Sequence, residues 1–152
     1  MKKKLSLLLA LLMLTSIAAL AACSKVEPIT VKVVINVAEE DDRGRREVTE
    51  TILETDFAYE SSTPTLNDLL VKLRDAGKIN LVTEADGDNV IITGINDLVP
   101  KTDETETTME DYDWYVYIND GDAEDNSLSS TKAIAANDTV TITYMLYSIA
   151  KE

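Results

Sequence analysis

The chain is 152 residues long and carries 28 acidic against 14 basic side chains, a formal net charge of −14, with no histidine and one cysteine. Without histidine there is no Ser-His-Asp or Cys-His catalysis and no histidine zinc site. The charge opposes binding to nucleic acid and to anionic lipid headgroups, and a single cysteine leaves no disulfide within the chain.

Lys2, Lys3 and Lys4 precede an apolar stretch that runs from Leu5 to Ala22, broken only by Ser6, Thr15 and Ser16. A basic start followed by such a run is the layout of a secretory signal. The run closes in Leu20-Ala21-Ala22-Cys23, which resembles the lipobox of bacterial lipoproteins. Small residues at 21 and 22 give a peptidase access to the bond before the cysteine. The Cys23 thiolate is then the nucleophile that takes a diacylglyceryl group. The expectation is a signal peptide over 1–22, a lipidated tether over 23–27 and a folded domain over 28–150. An uninterrupted membrane-spanning helix, the alternative, has no need of a lone cysteine after small residues. With at least two acyl chains, the anchor would be durable. Cleavage would remove three lysines and no acid, leaving 11 basic residues against 28 acidic ones. The 130 residues from Cys23 to Glu152 suit one domain with a real core.

Beyond the tether, Ile29, Val31, Val33, Ile35 and Val37 alternate with polar residues, the period of a half-buried strand. Residues 39–44 are polar and end in Gly44, so they read as a turn. Residues 46–54 are β-branched but highly charged, which suits a return strand at a sheet edge. The period then changes. Leu66, Leu69, Leu70 and Leu73 fall at helical spacing, with Thr65 as N-cap, Asp68 three residues on, and Gly77 placed to end the helix. Short strands are expected at 79–83 and 90–93 around the turn residues 86–89. Residues 96–111 show no periodicity and read as a long surface loop. A strand over 113–119 puts Trp114, Val116 and Ile118 on one face and Tyr115 and Tyr117 on the other. The last strand, 139–147, turns Val140, Ile142, Tyr144 and Leu146 inward. Hairpin, helix, short strands, loop and two longer strands predict an α+β fold, a β-grasp-like mixed sheet with one helix packed across it.

Four short motifs lie along this pattern. Trp114-Tyr115-Val116-Tyr117-Ile118-Asn119 resembles the aromatic hairpin of the transcobalamin-like C-terminal domain family. Thr65-Leu66-Asn67-Asp68-Leu69-Leu70 is similar to its helix start, Ile92-Thr93-Gly94-Ile95 to a strand end, and Ala136-Asn137-Asp138-Thr139-Val140 to the turn before its last strand. Two turns depart from the family. Asn119-Asp120-Gly121 is one residue longer, and Asn137 stands where the family has glycine, with asparagine able to supply the positive φ. The resemblance implies a β-grasp domain of the soluble-ligand-binding kind, as in vitamin B12 carriers and surface lipoproteins. The large helical domain that supplies much of the corrinoid contact in those carriers has no counterpart here.

The expected protein is therefore a non-catalytic lipoprotein held at the membrane by Cys23, outside the cytoplasm. It needs no cofactor and captures a soluble small molecule, corrinoid-like by resemblance, for a transporter or surface protein. The alternatives are a module that binds a surface protein or glycan, and a calcium-stabilised structural domain built on the acidic residues 120–126. That stretch lacks the ligand order of an EF-hand and reads as a solvated loop. Tyr115 and Tyr117 are the ligand candidates, offering stacking and a phenol hydrogen bond. Trp114 belongs to the same aromatic group, though alternation assigns it to the core.

Overall fold

The computed structural model describes residues 26–40, 43, 45–87, 89–119, 121–122 and 127–150. Residues 1–25, with the expected signal and Cys23, lie outside this set, as do all but 121 and 122 of the acidic stretch 120–126. Among the described residues no helix is long and apolar enough to cross a membrane.

The elements in order are β1 (Ile29–Glu40), β2 (Arg46–Tyr59), α1 (Leu66–Asp75), β3 (Leu81–Asp86), β4 (Asn89–Ile95), β5 (Lys101–Glu104), β6 (Thr108–Ile118), β7 (Gly121–Asp122) and β8 (Thr139–Ala150). The main sheet runs β2-β1-β8-β6-β5, and β7 also pairs with β6. Its central pair, β1 and β8, is parallel, while β2, β6 and β5 are antiparallel to their neighbours. This is a mixed α+β fold.

Alternation decides which face is covered. Val31, Val33 and Ile35 of β1, Val140 and Ile142 of β8, and Trp114 and Val116 of β6 are buried on one face. Leu66, Leu69, Leu70 and Leu73 of α1 are fully buried in the same cluster. Each such side chain contributes about 1.5–3 kcal/mol by leaving water. The helix is closed at both ends by local chemistry. Thr65 Oγ1 accepts from the Asp68 amide at 3.2 Å. At the other end the Gly77 amide donates to Arg74 O and the Lys78 amide to Leu73 O, with Gly77 at φ 67°, the Schellman pattern. Asn137 takes a positive φ of 69° ahead of β8.

Three expectations change. The stretch 96–111 is not a featureless loop: it holds β5 and the first part of β6, paired from Lys101↔Tyr112 to Glu104↔Met109. All four β5 residues are exposed, so this edge strand carries no apolar period to read. Strand β2 continues five residues past 54, because β1 pairs with it back to Ile29↔Tyr59. It also bulges: Ile35↔Leu53 is followed by Asn36↔Thr51, and Val37↔Glu50 by Ala38↔Val48, so Ile52 and Thr49 are extra residues. Finally, β3 and β4 pair only with each other, as a separate two-stranded sheet.

The opposite face of the main sheet is not left to solvent. Asn36, Ala38, Thr143 and Met145 are buried there too.

Candidate functional site

The helix covers only part of the apolar face. Beyond it the registers lay out a row of side chains across the sheet. Glu50 of β2 pairs with Val37 of β1, Val37 with Tyr144 of β8, and Tyr144 with Trp114 of β6. One row further on, Tyr112 of β6 pairs with Lys101 of β5. The rings form a continuous wall. Tyr112 stacks on Tyr144 with centroids 5.9 Å apart and planes at 25°, and Tyr144 meets Trp114 at 5.0 Å.

A turn, not a helix, roofs this end. Ile95 and Leu98 exchange backbone hydrogen bonds around Asn96 (φ 49°) and Asp97 (φ 69°), a two-residue loop with both central residues left-handed, as in a type I′ turn. Gly94 lets the returning chain pass: a Cβ there would lie 2.2 Å from the Leu98 carbonyl oxygen. Tyr144 ties the segment down by donating its hydroxyl to Val99 O at 2.6 Å.

Turn and wall enclose an open cleft of about 370 Å³. Tyr112 and Tyr144 are its floor, Leu98 and Val99 its roof, and Val37 its inner end. Glu50, Asp97 and Lys101 stand at its margin. The Lys101 ammonium lies 4.3 Å from the Tyr112 ring centroid and 2.5 Å from an Asp103 carboxylate oxygen. The hydrogen bond to Asp103 raises the Lys101 pKa above its ordinary value. Burial raises the Tyr112 and Tyr144 phenols, with Glu110 adding to the effect at Tyr112. Both phenols are thus neutral near pH 7, and each O–H is already given within the protein, Tyr144 to Val99 O and Tyr112 to a Glu110 carboxylate oxygen at 3.2 Å, so what they offer a ligand is the ring. Among the described residues no group of three or more metal-ligating side chains gathers.

A second cavity, about 220 Å³, lies on the other side of Pro100. Ile91, Ile92 and Thr93 of β4 form one wall, and Asp113 and Trp114 another. Trp114 is 2% exposed, and its Nε1 is buried without an acceptor.

The aromatic residues singled out in the sequence divide as alternation requires. Trp114 belongs to the apolar cluster. Tyr115 and Tyr117 share the opposite face. There Tyr115 meets Tyr147 edge-on at 5.6 Å, and the Arg46 guanidinium lies 4.5 Å over the Tyr117 ring and donates to its hydroxyl. Burial, with help from Tyr147, pushes the Tyr115 phenol well above the ordinary tyrosine range. Neither residue lines either cavity. Sequence reading missed Tyr112, Glu50, Asp97 and Lys101; it turned Tyr144 inward, and the ring is indeed buried in the core at 5% exposure while also bordering the cleft. The signal for Tyr112 was present: it continues the Trp114 alternation backwards, into residues taken for a loop.

No protein-family model matches the sequence, and no curated protein is significantly similar to it. Among solved structures, a 1.30 Å crystal structure from Ruminococcus gnavus ATCC 29149, described as a "putative metal binding protein", aligns with 78% of this chain and 95% of its own. Sequence identity is 13% and the TM-score 0.36, too distant a likeness to assign a family or a ligand.

Proposed function

We propose that this chain is a lipid-anchored extracytoplasmic lipoprotein whose β-grasp-like domain captures a soluble small molecule in the Tyr112–Tyr144 cleft. The observation that carries the reading is the cleft itself. Ligand sites are concave, mostly apolar and marked by a few convergent polar groups, and here two stacked phenols lie under a hydrogen-bonded turn with charges at the margin. The strand order, with its parallel central pair and a helix following the first hairpin, supports the β-grasp assignment and agrees with the transcobalamin-like resemblance. The reading is one of binding and not of catalysis.

Capture at the surface requires attachment, and the Leu20-Ala21-Ala22-Cys23 sequence is the basis for it. A volume of about 370 Å³ is at the small end of ligand pockets. A whole corrinoid would present an edge or a substituent to it, whereas a single-ring molecule would enter it. Two measurements test the proposal. Labelled palmitate should be incorporated by the wild-type chain and not by Cys23→Ala. In equilibrium dialysis of the detergent-solubilised full chain, cobalamin, cobinamide or a one-ring probe such as phenylethanol should be retained, and Tyr112→Ala should abolish retention. Failure of all three to bind would remove the capture reading.

A further inference from the structure

We infer that the cleft selects compact organic cations, an ammonium group on an apolar or aromatic body. The inference rests on the capture reading above and adds the charge class of the ligand. Three observations converge on it.

The first is a cation already bound to the wall. The Lys101 ammonium sits over the Tyr112 ring at 4.3 Å, the geometry in which a ring quadrupole attracts positive charge. The Tyr112 ring is thus open to an ammonium at cation–π distance.

The second is the local charge balance. Lys101 is neutralised by Asp103 at 2.5 Å. Glu50 and Asp97 reach the same cleft, and neither has an ion-pair partner among the described residues. Two carboxylates therefore face a pocket whose one ammonium is already paired. A carboxylate or phosphate ligand would meet repulsion from both. An ammonium would gain them as counter-ions while its body lies on the half-buried Tyr112, beside the largely buried Tyr144. The third is the field of the whole chain. A net charge of −14 raises the local concentration of cations and repels anions.

The experiment uses three probes of one skeleton on the detergent-solubilised full chain: phenylethylamine, phenylethanol and phenylacetate. Dissociation constants and ring-proton shifts of Tyr112 and Tyr144 are read by NMR titration. The amine should bind about tenfold more tightly than the alcohol, a cation–π-sized preference, and phenylacetate should not saturate. Glu50→Gln with Asp97→Asn should erase the amine's advantage, and asparagine keeps the positive φ that position 97 needs. Lys101→Ala, which removes the competing ammonium, should tighten amine binding several-fold. Raising salt should weaken the amine and leave the alcohol unchanged. Equal binding of amine and alcohol, or phenylacetate binding lost in Lys101→Ala, would overturn the cation inference and leave capture standing. No shift with any probe would overturn both.

Discussion

The two ends of the apolar sheet face are covered by different devices. At one end α1 lays Leu66, Leu69, Leu70 and Leu73 onto Val31, Val33, Val116 and Val140, and every one of these side chains is fully buried. At the other end the cover is the two-residue turn Asn96-Asp97 with Leu98 and Val99, and a cleft of about 370 Å³ remains beneath it. The β1–β2 register is unbroken at the helix end, from Ile29 to Ile35, and carries both bulges at the cleft end, around Glu50 and Val37; the covers differ as well. A helix returns a side chain to the same face every three or four residues and fills the space. A tight turn presents two or three side chains and is held by backbone geometry instead. The filled end stabilises the fold, and the loosely roofed end is free to host a ligand.

That contrast can be broken deliberately. The largest effect is expected at the helix end: Leu70→Ala should destabilise the domain by about 2–5 kcal/mol, read by urea unfolding, with probe binding at the distant cleft unchanged in the folded fraction. Gly94→Ala attacks the turn end. The added methyl has no room beside the Leu98 carbonyl oxygen at 2.2 Å or Val99 Cγ1 at 2.8 Å. A loss of about 1–3 kcal/mol should follow, together with altered phenylethanol binding, the reverse of the Leu70→Ala pattern. If both variants changed stability and binding in the same proportion, the division of labour between the two ends would be wrong.

Tyr144→Phe should cost about 1 kcal/mol by removing the hydroxyl donor to Val99 O while keeping the stacked ring. Calorimetry measures the loss, and a faster exchange of amides in 95–99 would locate it in the roof.

The smallest effect at neutral pH belongs to Tyr59, at the helix-covered end. Its hydroxyl is buried without a hydrogen-bond partner, so Tyr59→Phe should be neutral or slightly stabilising. Its pKa is pushed up to about 12, chiefly by burial and secondarily by the Asp68 charge. A folded-state pKa raised above the ordinary value of 10 gives stability that is complete below pH 10 and lost as pH rises through about 12. The wild-type melting temperature should therefore be flat below pH 10 and fall between 10 and 12, and Tyr59→Phe should make that fall shallower.

Much of the fold was legible because it follows from local periodicity. The alternation of Val31, Val33 and Ile35, the helical spacing of Leu66 to Leu73, and the caps Thr65 and Gly77 each act within a few residues. The wall of the cleft was less so. Tyr112 lay in a stretch whose partner strand, β5, is exposed throughout and so has no apolar pattern. Its place became fixed only by pairing with Lys101 and Leu146. Tyr115 and Tyr117 were correctly set on the face opposite Trp114, but their surroundings, Arg46 and Tyr147, come from strands far away in sequence.

The sequence alone determined the strands that carry an apolar period, the helix with its beginning and end, and which of their faces is apolar, since those depend on backbone preference and on neighbours three or four residues away; it left β5 and the start of β6 unread. Only the tertiary structure decided that Glu50, Asp97, Lys101, Tyr112 and Tyr144 share one cleft. Their meeting depends on strand register, on the parallel pairing of β1 with β8, and on a turn that Gly94 allows to pass close to its own strand. Those are contacts between residues tens of positions apart, and no local pattern encodes them.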